Sequence, residues 1–211
     1  MRKLFSLAFA STLFILSGLA HAQVDAAIGG SIPWTTKNPT ASIAYTAPPL
    51  KGGDYAMASI VDMLTDRLGV EVEGAFRYHQ GLYNGFQKFR PVFYDVNAVY
   101  RRKVSRKGSL DLLGGIGGET LIFYNQFANC GGATGVCIAL RDDNHFVAHL
   151  GAGLRYRVWR NFFLRPEAHY SFVPNNFEFH SDNVFRVGVS LGYTFGSSQA
   201  KTEKAAPQAL P

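Results

Sequence analysis

The stretch that decides the fold is residues 184–195, with the sequence VFRVGVSLGYTF. Its odd-numbered positions are all apolar or aromatic, while its even-numbered positions are mostly small or polar. A period of two residues predicts an extended strand with one apolar face and one polar face. In a soluble sheet the apolar face would point to a core. In a membrane barrel it would point to lipid, and the polar face would point into the lumen.

The same alternation recurs along the chain and predicts seven further strands, at residues 23–32, 55–64, 70–79, 90–102, 109–124, 144–158 and 162–173. The facing of the strand at 55–64 is ambiguous. Long and short connections alternate between the strands, as in outer-membrane barrels with long extracellular loops and short periplasmic turns. We therefore predict an all-β fold, an eight-stranded antiparallel up-and-down transmembrane β-barrel over residues 23–195.

A soluble eight-stranded barrel of the lipocalin kind is the alternative, with its apolar face inside and its charged face outside. The outer face of such a barrel would be dense in Lys and Glu. Here the polar face is thin, its charges are of both signs, and it includes Gly29, Gly115, Gly117, Gly153, Gly188 and Gly192. These features favour the membrane barrel.

The composition agrees with a sheet protein that contacts lipid, since only 17% of residues are charged and 14% are aromatic. The net charge of +6 is a small excess without a stripe of Lys and Arg between stacking aromatics, so nucleic acid binding is not expected. The basic segment 101–107 is either a solvated turn or a contact with anionic lipid headgroups.

The two ends of the chain are predicted to lie outside the barrel domain. A cationic start, an apolar segment and the cleavage pattern Ala20-His21-Ala22 predict a secretory signal peptide over residues 1–22. Residues 196–211 are rich in Ala, Lys, Gln and Pro, and we expect a disordered periplasmic tail there.

The polar face carries six acidic residues and six arginines that are predicted to face the lumen. Because the interior of an eight-stranded barrel is only just wide enough for side chains, buried charges there must be paired. The expected result is an ion-pair network that plugs the lumen, formed by Glu71, Glu73, Arg77, Asp95, Arg101, Asp111, Glu119, Arg155, Arg157, Arg165, Glu167 and Arg186. A narrow porin-like channel for ions or small solutes is the alternative, although an open pore usually carries one dominant sign.

Cys130 and Cys137 lie close together in a long connection and predict a disulfide in an exported protein. Two thiols without a matching histidine pair make a poor metal site there. The sequence has no metal, nucleotide or flavin motif, so no cofactor is expected.

The last strand also resembles the assembly signal of the OmpA/OmpX-like bacterial outer-membrane barrels, polar-x-Gly-x-x-apolar-x-aromatic. The matching residues are Arg186, Gly188, Leu191 and Tyr193, with Phe195 as the closing aromatic. The segments TDRLGVEVEGAFRY, FYDVNAVYRR, GGIGGE and FFLRPEAHY are similar to acidobacteria-type versions of this family. One departure is that the chain continues past the aromatic, which would make the signal internal.

This resemblance covers roughly residues 23–195 and implies a place in the bacterial outer membrane. It also implies contact with outer-membrane lipids and lipopolysaccharide, and insertion by the barrel assembly machinery. We expect a monomer, although the oligomeric state is left open. We further expect a structural or surface-interaction role that the loops at 33–54, 80–89, 125–143 and 174–182 carry.

His169-Tyr170-Ser171 is similar to the His-x-Ser core of the lipid A deacylases, with Glu178 nearby as an orienting carboxylate. Phe172-Val173 stands where that family has Asn-Ala, and the predicted register points the pair into the lumen, away from acyl chains. We therefore expect a protein that is not an enzyme, with a lipid A acyl hydrolase as an alternative. The other histidines, His79, His145, His149 and His180, are expected near the outer rim.

Overall fold

The computed structural model describes residues 23–35, 54–83, 87–124, 143–176 and 181–196. These form nine strands: β1 (Gln23–Thr35), β2 (Tyr55–Met63), β3 (Leu68–Arg77), β4 (Gly81–Tyr83), β5 (Gln87–Lys103), β6 (Gly108–Tyr124), β7 (Asp143–Trp159), β8 (Phe162–Phe172) and β9 (Asn183–Phe195). Among the described residues, no helix is long and apolar enough to cross a membrane.

Eight of the strands form a closed antiparallel ring. β1 pairs with both β2 and β9, so that Ile28 lies opposite Ala58 on one side and Leu191 on the other. The ring closes where β3 pairs with β5. This arrangement confirms the predicted eight-stranded up-and-down barrel, and the strands begin and end within a few residues of the predicted positions.

β4 is an additional short strand that pairs with the start of β5 through Gly81 and Phe89. It lies in the segment 80–89, which the sequence predicts to be a loop. That prediction is wrong for residues 81–83 and 87–89, because three residues are too few to show an alternating pattern and the segment contains two glycines.

The two ends of the barrel differ in the length of their connections. Residues 64–67, 104–107 and 160–161 join strands by tight turns at one end, where Gln23 and Phe195 also lie. We call this the periplasmic end. The strands are joined across residues 36–54, 125–142 and 173–182 at the opposite end, which we call the extracellular end. Thr65 closes the first tight turn, since its Oγ1 accepts a hydrogen bond from the backbone N–H of Leu68 at 2.9 Å.

The outer face of the ring is an apolar belt. Ile28 is 70% exposed and Leu150 60% exposed, and the belt continues through Ile32, Ile60, Val72, Val96, Leu112, Ile116, Leu154, Val187, Val189 and Leu191. Exposed aromatic rings lie toward both ends, with Trp34, Phe76, Tyr78 and Phe172 at the extracellular end and Tyr100, Tyr156, Trp159 and Phe195 at the periplasmic end. An apolar band between two aromatic girdles is the lipid-facing surface of a transmembrane barrel. The lipocalin-like alternative is wrong, because it requires this face to point inward.

The inner face contains apolar side chains as well as charges. Near the extracellular end, ten buried residues form an apolar cluster: Tyr55, Met57, Ala75, Phe89, Phe93, Leu121, Phe123, Val147, Val173 and Val184. A smaller cluster lies nearer the periplasmic end and contains Val61, Met63, Val99 and Leu113. β2, whose facing the sequence leaves ambiguous, contributes to both clusters because its odd-numbered residues point inward.

Two glycines of β6 let its backbone lie close to the inner side chains of β5. A Cβ atom on Gly115 would collide with the carbonyl oxygen of Val96 and the side chain of Asn97. A Cβ atom on Gly117 would collide with the backbone of Tyr94 and Asp95. The absence of side chains at these two positions leaves room for Asp95 and Asn97 inside the barrel.

Candidate functional site

The candidate site is the lumen, where charged side chains form two clusters. The first, which we call the periplasmic cluster, contains Asp25, Arg101, Asp111 and Arg155. Arg101 donates hydrogen bonds from Nε and Nη2 to the two carboxylate oxygens of Asp111, both at 2.8 Å. Its Nη1 lies 2.8 Å from Oδ2 of Asp25. Because two carboxylates face two guanidinium groups, the charges of this cluster balance.

Arg155 completes the periplasmic cluster. Its Nη2 donates to Oδ1 of Asp25 at 3.3 Å and also to the hydroxyl oxygen of Thr194. Its guanidinium carbon lies 4.2 Å from the centre of the Phe163 ring, which is a cation–π contact. The cluster therefore ties β1, β5, β6, β7 and β9 together across the lumen.

The second group, the central cluster, contains Glu71, Glu73, Asp95, Glu167, Arg165 and Arg186, together with two histidines. Arg165 has three contacts: Nη1 donates to Glu71 Oε2 at 2.7 Å, Nη2 donates to Ser59 Oγ at 3.0 Å, and Nε lies 2.7 Å from Glu167 Oε2. Arg186 donates to Oε1 of Glu73. Bidentate or multiple contacts of this kind hold planar guanidinium groups in one geometry.

His149 and His169 stack in the middle of the central cluster, with ring centroids 5.1 Å apart and an angle of 11° between the planes. Nε2 of His149 lies 3.0 Å from Nδ1 of His169, and Nδ1 of His149 lies 2.7 Å from Oδ1 of Asn97. Nε2 of His169 lies 3.5 Å from Glu167 Oε2, and its Nδ1 also lies 3.8 Å from Glu73 Oε2.

The expectation that His149 lies near the outer rim is wrong. The register places it opposite Gly115, in the middle of β6, and the odd-numbered residues of both strands point into the barrel. His145, four residues earlier, lies opposite Glu119 nearer the extracellular end. The alternation along β7 indicates that His149 points inward, but it does not show that this side chain meets His169 of β8.

Ten of the twelve residues predicted for the lumen network are buried, and the other two, Arg77 and Arg157, are only partly buried. Arg77 lies at the extracellular end of β3, with its guanidinium carbon 5.7 Å from the centre of the Phe89 ring. Arg157 lies beside the irregularity where β7 leaves its register with β8. Both positions are close to strand ends, where a long side chain can reach water.

Among the buried residues of the lumen, acids outnumber arginines. Asp25 joins the buried acids, and the two terminal arginines are absent from the buried set. Among the described residues, the buried carboxylates are Asp25, Glu71, Glu73, Asp95, Asp111, Glu119 and Glu167, whereas the buried guanidinium groups are Arg101, Arg155, Arg165 and Arg186.

Several polar partners were not predicted as members of the network. Asp25, Ser59, Asn97 and Thr194 lie at inward positions of their strands, and the alternation could have identified them. Asn176 could not be found in this way, since it follows β8 in an irregular segment. Its Nδ2 donates to Oε2 of Glu119 at 2.9 Å, so this segment contacts the extracellular end of the lumen.

The residues that suggested an acyl hydrolase lie inside the barrel. His169 and Ser171 are both buried, and the described contacts of His169 are to His149, Glu73 and Glu167. The barrel wall separates them from the lipid-facing belt. Glu178, Cys130 and Cys137 lie outside the described residues, as do residues 1–22 and 197–211.

The residues of the predicted assembly signal alternate across β9. Arg186 is buried in the lumen, whereas Leu191 and Phe195 are exposed on the belt. Tyr193 packs edge-to-face against Phe162 at 4.9 Å and against Phe195 at 4.8 Å. A Cβ atom on Gly188 would collide with Ser31, so this glycine permits close packing of β9 on β1. The role of these five residues in barrel assembly stays a prediction.

No family model matches the chain, and no curated protein matches it. Solved structures do match. Ail, the attachment invasion locus protein of Yersinia pestis, solved in complex with the heparin analogue sucrose octasulfate, has a TM-score of 0.55 and 16% identity, over 83% of this chain and 100% of that one. The N-terminal β-barrel domain of Pseudomonas aeruginosa OprF has a TM-score of 0.53 and 15% identity, over 83% of this chain and 98% of that one.

The outer membrane protein OprG from Pseudomonas aeruginosa has a TM-score of 0.51 and 13% identity, over 84% of this chain and 97% of that one. At such identities the likeness concerns the fold. Together with the closed ring and the apolar belt, it shows that the chain has the fold of the eight-stranded bacterial outer-membrane β-barrels.

Proposed function

We propose that this outer-membrane barrel has a plugged lumen, and that its structural or surface-interaction role is carried by the segments that join its strands at the extracellular end. The observation behind this proposal is the burial of the inner face. Charged clusters and apolar clusters follow each other along the lumen, and their side chains are almost wholly buried.

The contacts of these side chains support a plug rather than a pore. Arg165 connects β8 to β2 and β3 through Ser59 and Glu71, across the interior. Arg155 and Arg101 connect through Asp25. Opening a water path would require breaking buried ion pairs, and removal of one partner of such a pair costs about 3–5 kcal/mol. All four buried guanidinium groups contact carboxylates, so these charges are held in ion pairs across the interior.

The outer rim supports contact with lipopolysaccharide. Lys88 is exposed at the extracellular end of β5, and the guanidinium carbon of Arg90 lies 5.7 Å from the centre of the Tyr124 ring. Cationic groups beside an aromatic girdle lie at headgroup level, where they can bind phosphate groups. At the periplasmic end, Arg102 and Lys103 are exposed and are placed to contact anionic phospholipid headgroups.

The plugged lumen is tested by refolding the chain without residues 1–22 in detergent and recording conductance in a planar bilayer. Insertion is verified separately in liposomes by the shift in gel mobility that a folded barrel shows without heating. We expect insertion without reproducible current steps. Steps of constant size from inserted protein would contradict the plug and support the porin-like channel.

The lipopolysaccharide contact is tested with the double substitution Lys88→Ala and Arg90→Ala. The matched control is Arg102→Ala and Lys103→Ala, which removes the same charge from the other end of the same strand. In vesicles with lipopolysaccharide in the outer leaflet, we expect only the first double variant to lose the stabilisation that lipopolysaccharide gives. Equal losses in both variants would show an effect of total charge and refute a contact at the outer rim.

A further inference from the structure

The central cluster contains more carboxylates than guanidinium groups. Glu71, Glu73, Asp95 and Glu167 are four buried carboxylates. The two buried guanidinium groups, of Arg165 and Arg186, contact three of them: Glu71, Glu167 and Glu73. The periplasmic cluster, by contrast, balances. Uncompensated buried charge is strongly unfavourable, so a bound cation would stabilise the central cluster.

Three side chains of this cluster converge on one point. Glu73, Glu167 and His169 each offer one ligand atom, and these atoms all lie within 4.8 Å of one another. The separation of 3.5 Å between His169 Nε2 and Glu167 Oε2 suits two ligands of one ion, since ligands about 2.0–2.2 Å from a tetrahedral ion are themselves about 3.3–3.6 Å apart.

The same three side chains have buried polar atoms without hydrogen-bond partners. Among the described residues, these atoms are Oε2 of Glu73, both carboxylate oxygens of Glu167, and Nε2 of His169. The side chains are 2%, 5% and 3% exposed, respectively. Arg165 lies near Oε2 of Glu167, but Oε1 of Glu167 has no such neighbour. Buried polar atoms of this kind normally have a partner, so a ligand at this point would satisfy several of them at once.

We propose that Glu73, Glu167 and His169 bind one divalent metal ion of the zinc class inside the barrel. One imidazole nitrogen and two carboxylate oxygens are a donor set that suits first-row divalent ions. The charge of the ion makes the central cluster neutral. His149 stacks on His169 and contacts its Nδ1, and it acts as a positioning residue that fixes the plane of the ligand ring.

The position of the site determines how the ion enters. The apolar cluster around Phe93 and Phe123 separates the site from the extracellular end, and the apolar residues Val61, Val99 and Leu113 lie on the periplasmic side. The ion therefore binds while the barrel folds and exchanges slowly afterwards. This binding is independent of the role of the extracellular segments.

The test is to refold the chain without residues 1–22 in detergent, with Zn²⁺ or with none, and to measure the metal that stays with the folded barrel after gel filtration. We expect about one Zn²⁺ per chain. His169→Gln and Glu167→Gln should each reduce bound zinc at least tenfold. Asp111→Asn is the matched control, because it removes a buried carboxylate of the periplasmic cluster and should leave zinc binding unchanged.

Two further readouts separate a metal site from a folding defect. Co²⁺ bound in place of Zn²⁺ should give the intense visible absorption of a tetrahedral site in the unsubstituted chain and not in His169→Gln. Zinc present during refolding should raise the unfolding midpoint of the unsubstituted chain and leave that of the folded His169→Gln barrel unchanged. A folded barrel that retains no zinc would overturn the proposal, as would equal retention by the unsubstituted chain and folded His169→Gln.

Discussion

Replacement of Arg165 by Met tests the charge excess of the central cluster. The guanidinium group of Arg165 contacts Glu71, Glu167 and Ser59 at 2.7–3.0 Å, and it is 2% exposed. Arg165→Met would leave two buried carboxylates without their cation. Breaking a buried pair in this way costs about 3–5 kcal/mol, so we expect a loss of that size in the free energy of unfolding.

Removal of the opposite partner should cost much less. Glu71→Gln loses one charge-assisted hydrogen bond, which contributes about 1.5–3 kcal/mol. It also removes one of four crowded carboxylates, whose mutual repulsion destabilises the folded state. We therefore expect a net loss of about 1 kcal/mol, well below that of Arg165→Met. In the balanced periplasmic cluster, Arg101→Met and Asp111→Asn should cost the same within about 1 kcal/mol.

The assay is equilibrium unfolding by urea in phospholipid vesicles, with EDTA present so that no divalent ion contributes. The fluorescence of Trp34 and Trp159 follows the transition, because both rings leave the girdles on unfolding. Arg101→Met and Asp111→Asn in the periplasmic cluster are the controls for the general loss of stability when a buried arginine or carboxylate is removed. A loss for Glu71→Gln equal to or greater than that for Arg165→Met would refute the excess of negative charge.

The remaining predictions concern the apolar belt, the packing of β6 and the ion pairs of the periplasmic cluster. Leu150→Arg places a charge in the middle of the belt and should cost about 2–4 kcal/mol in vesicles, whereas Val104→Arg in a periplasmic turn should cost under about 0.5 kcal/mol; equal costs in urea unfolding would contradict the belt. Gly115→Leu should destabilise the barrel by about 1–3 kcal/mol because its side chain would overlap Val96 and Asn97. Gly74→Leu, with open space around its Cβ, should fold normally, and thermal midpoints measure both. Asp25→Asn should weaken the ion pairs of Asp25 with both Arg101 and Arg155, so it should lower the free energy of unfolding more than Thr194→Val does. A double-mutant cycle of Asp25→Asn with Arg155→Met should give a coupling energy of at least about 1 kcal/mol.

The alternation of apolar and polar residues was sufficient to predict the ring of eight strands. It works well here because each strand has one face toward lipid and one toward a narrow interior, so a period of two persists over its whole length. β4 escaped prediction because it is three residues long. The inner apolar clusters were also missed, since residues such as Phe93 and Leu121 interrupt the polar face, and a sequence pattern cannot show which inner residues meet across a barrel.

The sequence predicted which residues line the lumen better than it predicted which of their side chains contact each other. Ten of the twelve predicted charges are buried, because inward parity decides burial in the middle of a strand. At strand ends an inward-facing position does not ensure burial, because long side chains such as those of Arg77 and Arg157 can extend toward water. Contacts such as Arg165 with Glu71, or His149 with His169, depend on the shear of the ring and on the register of several strands at once. Period-two patterns contain no information about that register.

The most direct test of the inside–outside arrangement compares two adjacent aromatic positions on β5. Phe93 is 4% exposed and faces the lumen, whereas Tyr94 is 49% exposed and lies on the belt. In a chain with Trp34→Phe and Trp159→Phe, a single tryptophan is introduced as Phe93→Trp or Tyr94→Trp, and each barrel is folded into vesicles of acyl-chain-brominated lipid. We expect strong quenching of fluorescence for Tyr94→Trp and little for Phe93→Trp. Stronger quenching for Phe93→Trp, or barrels that stay in buffer without entering the vesicles, would contradict this arrangement.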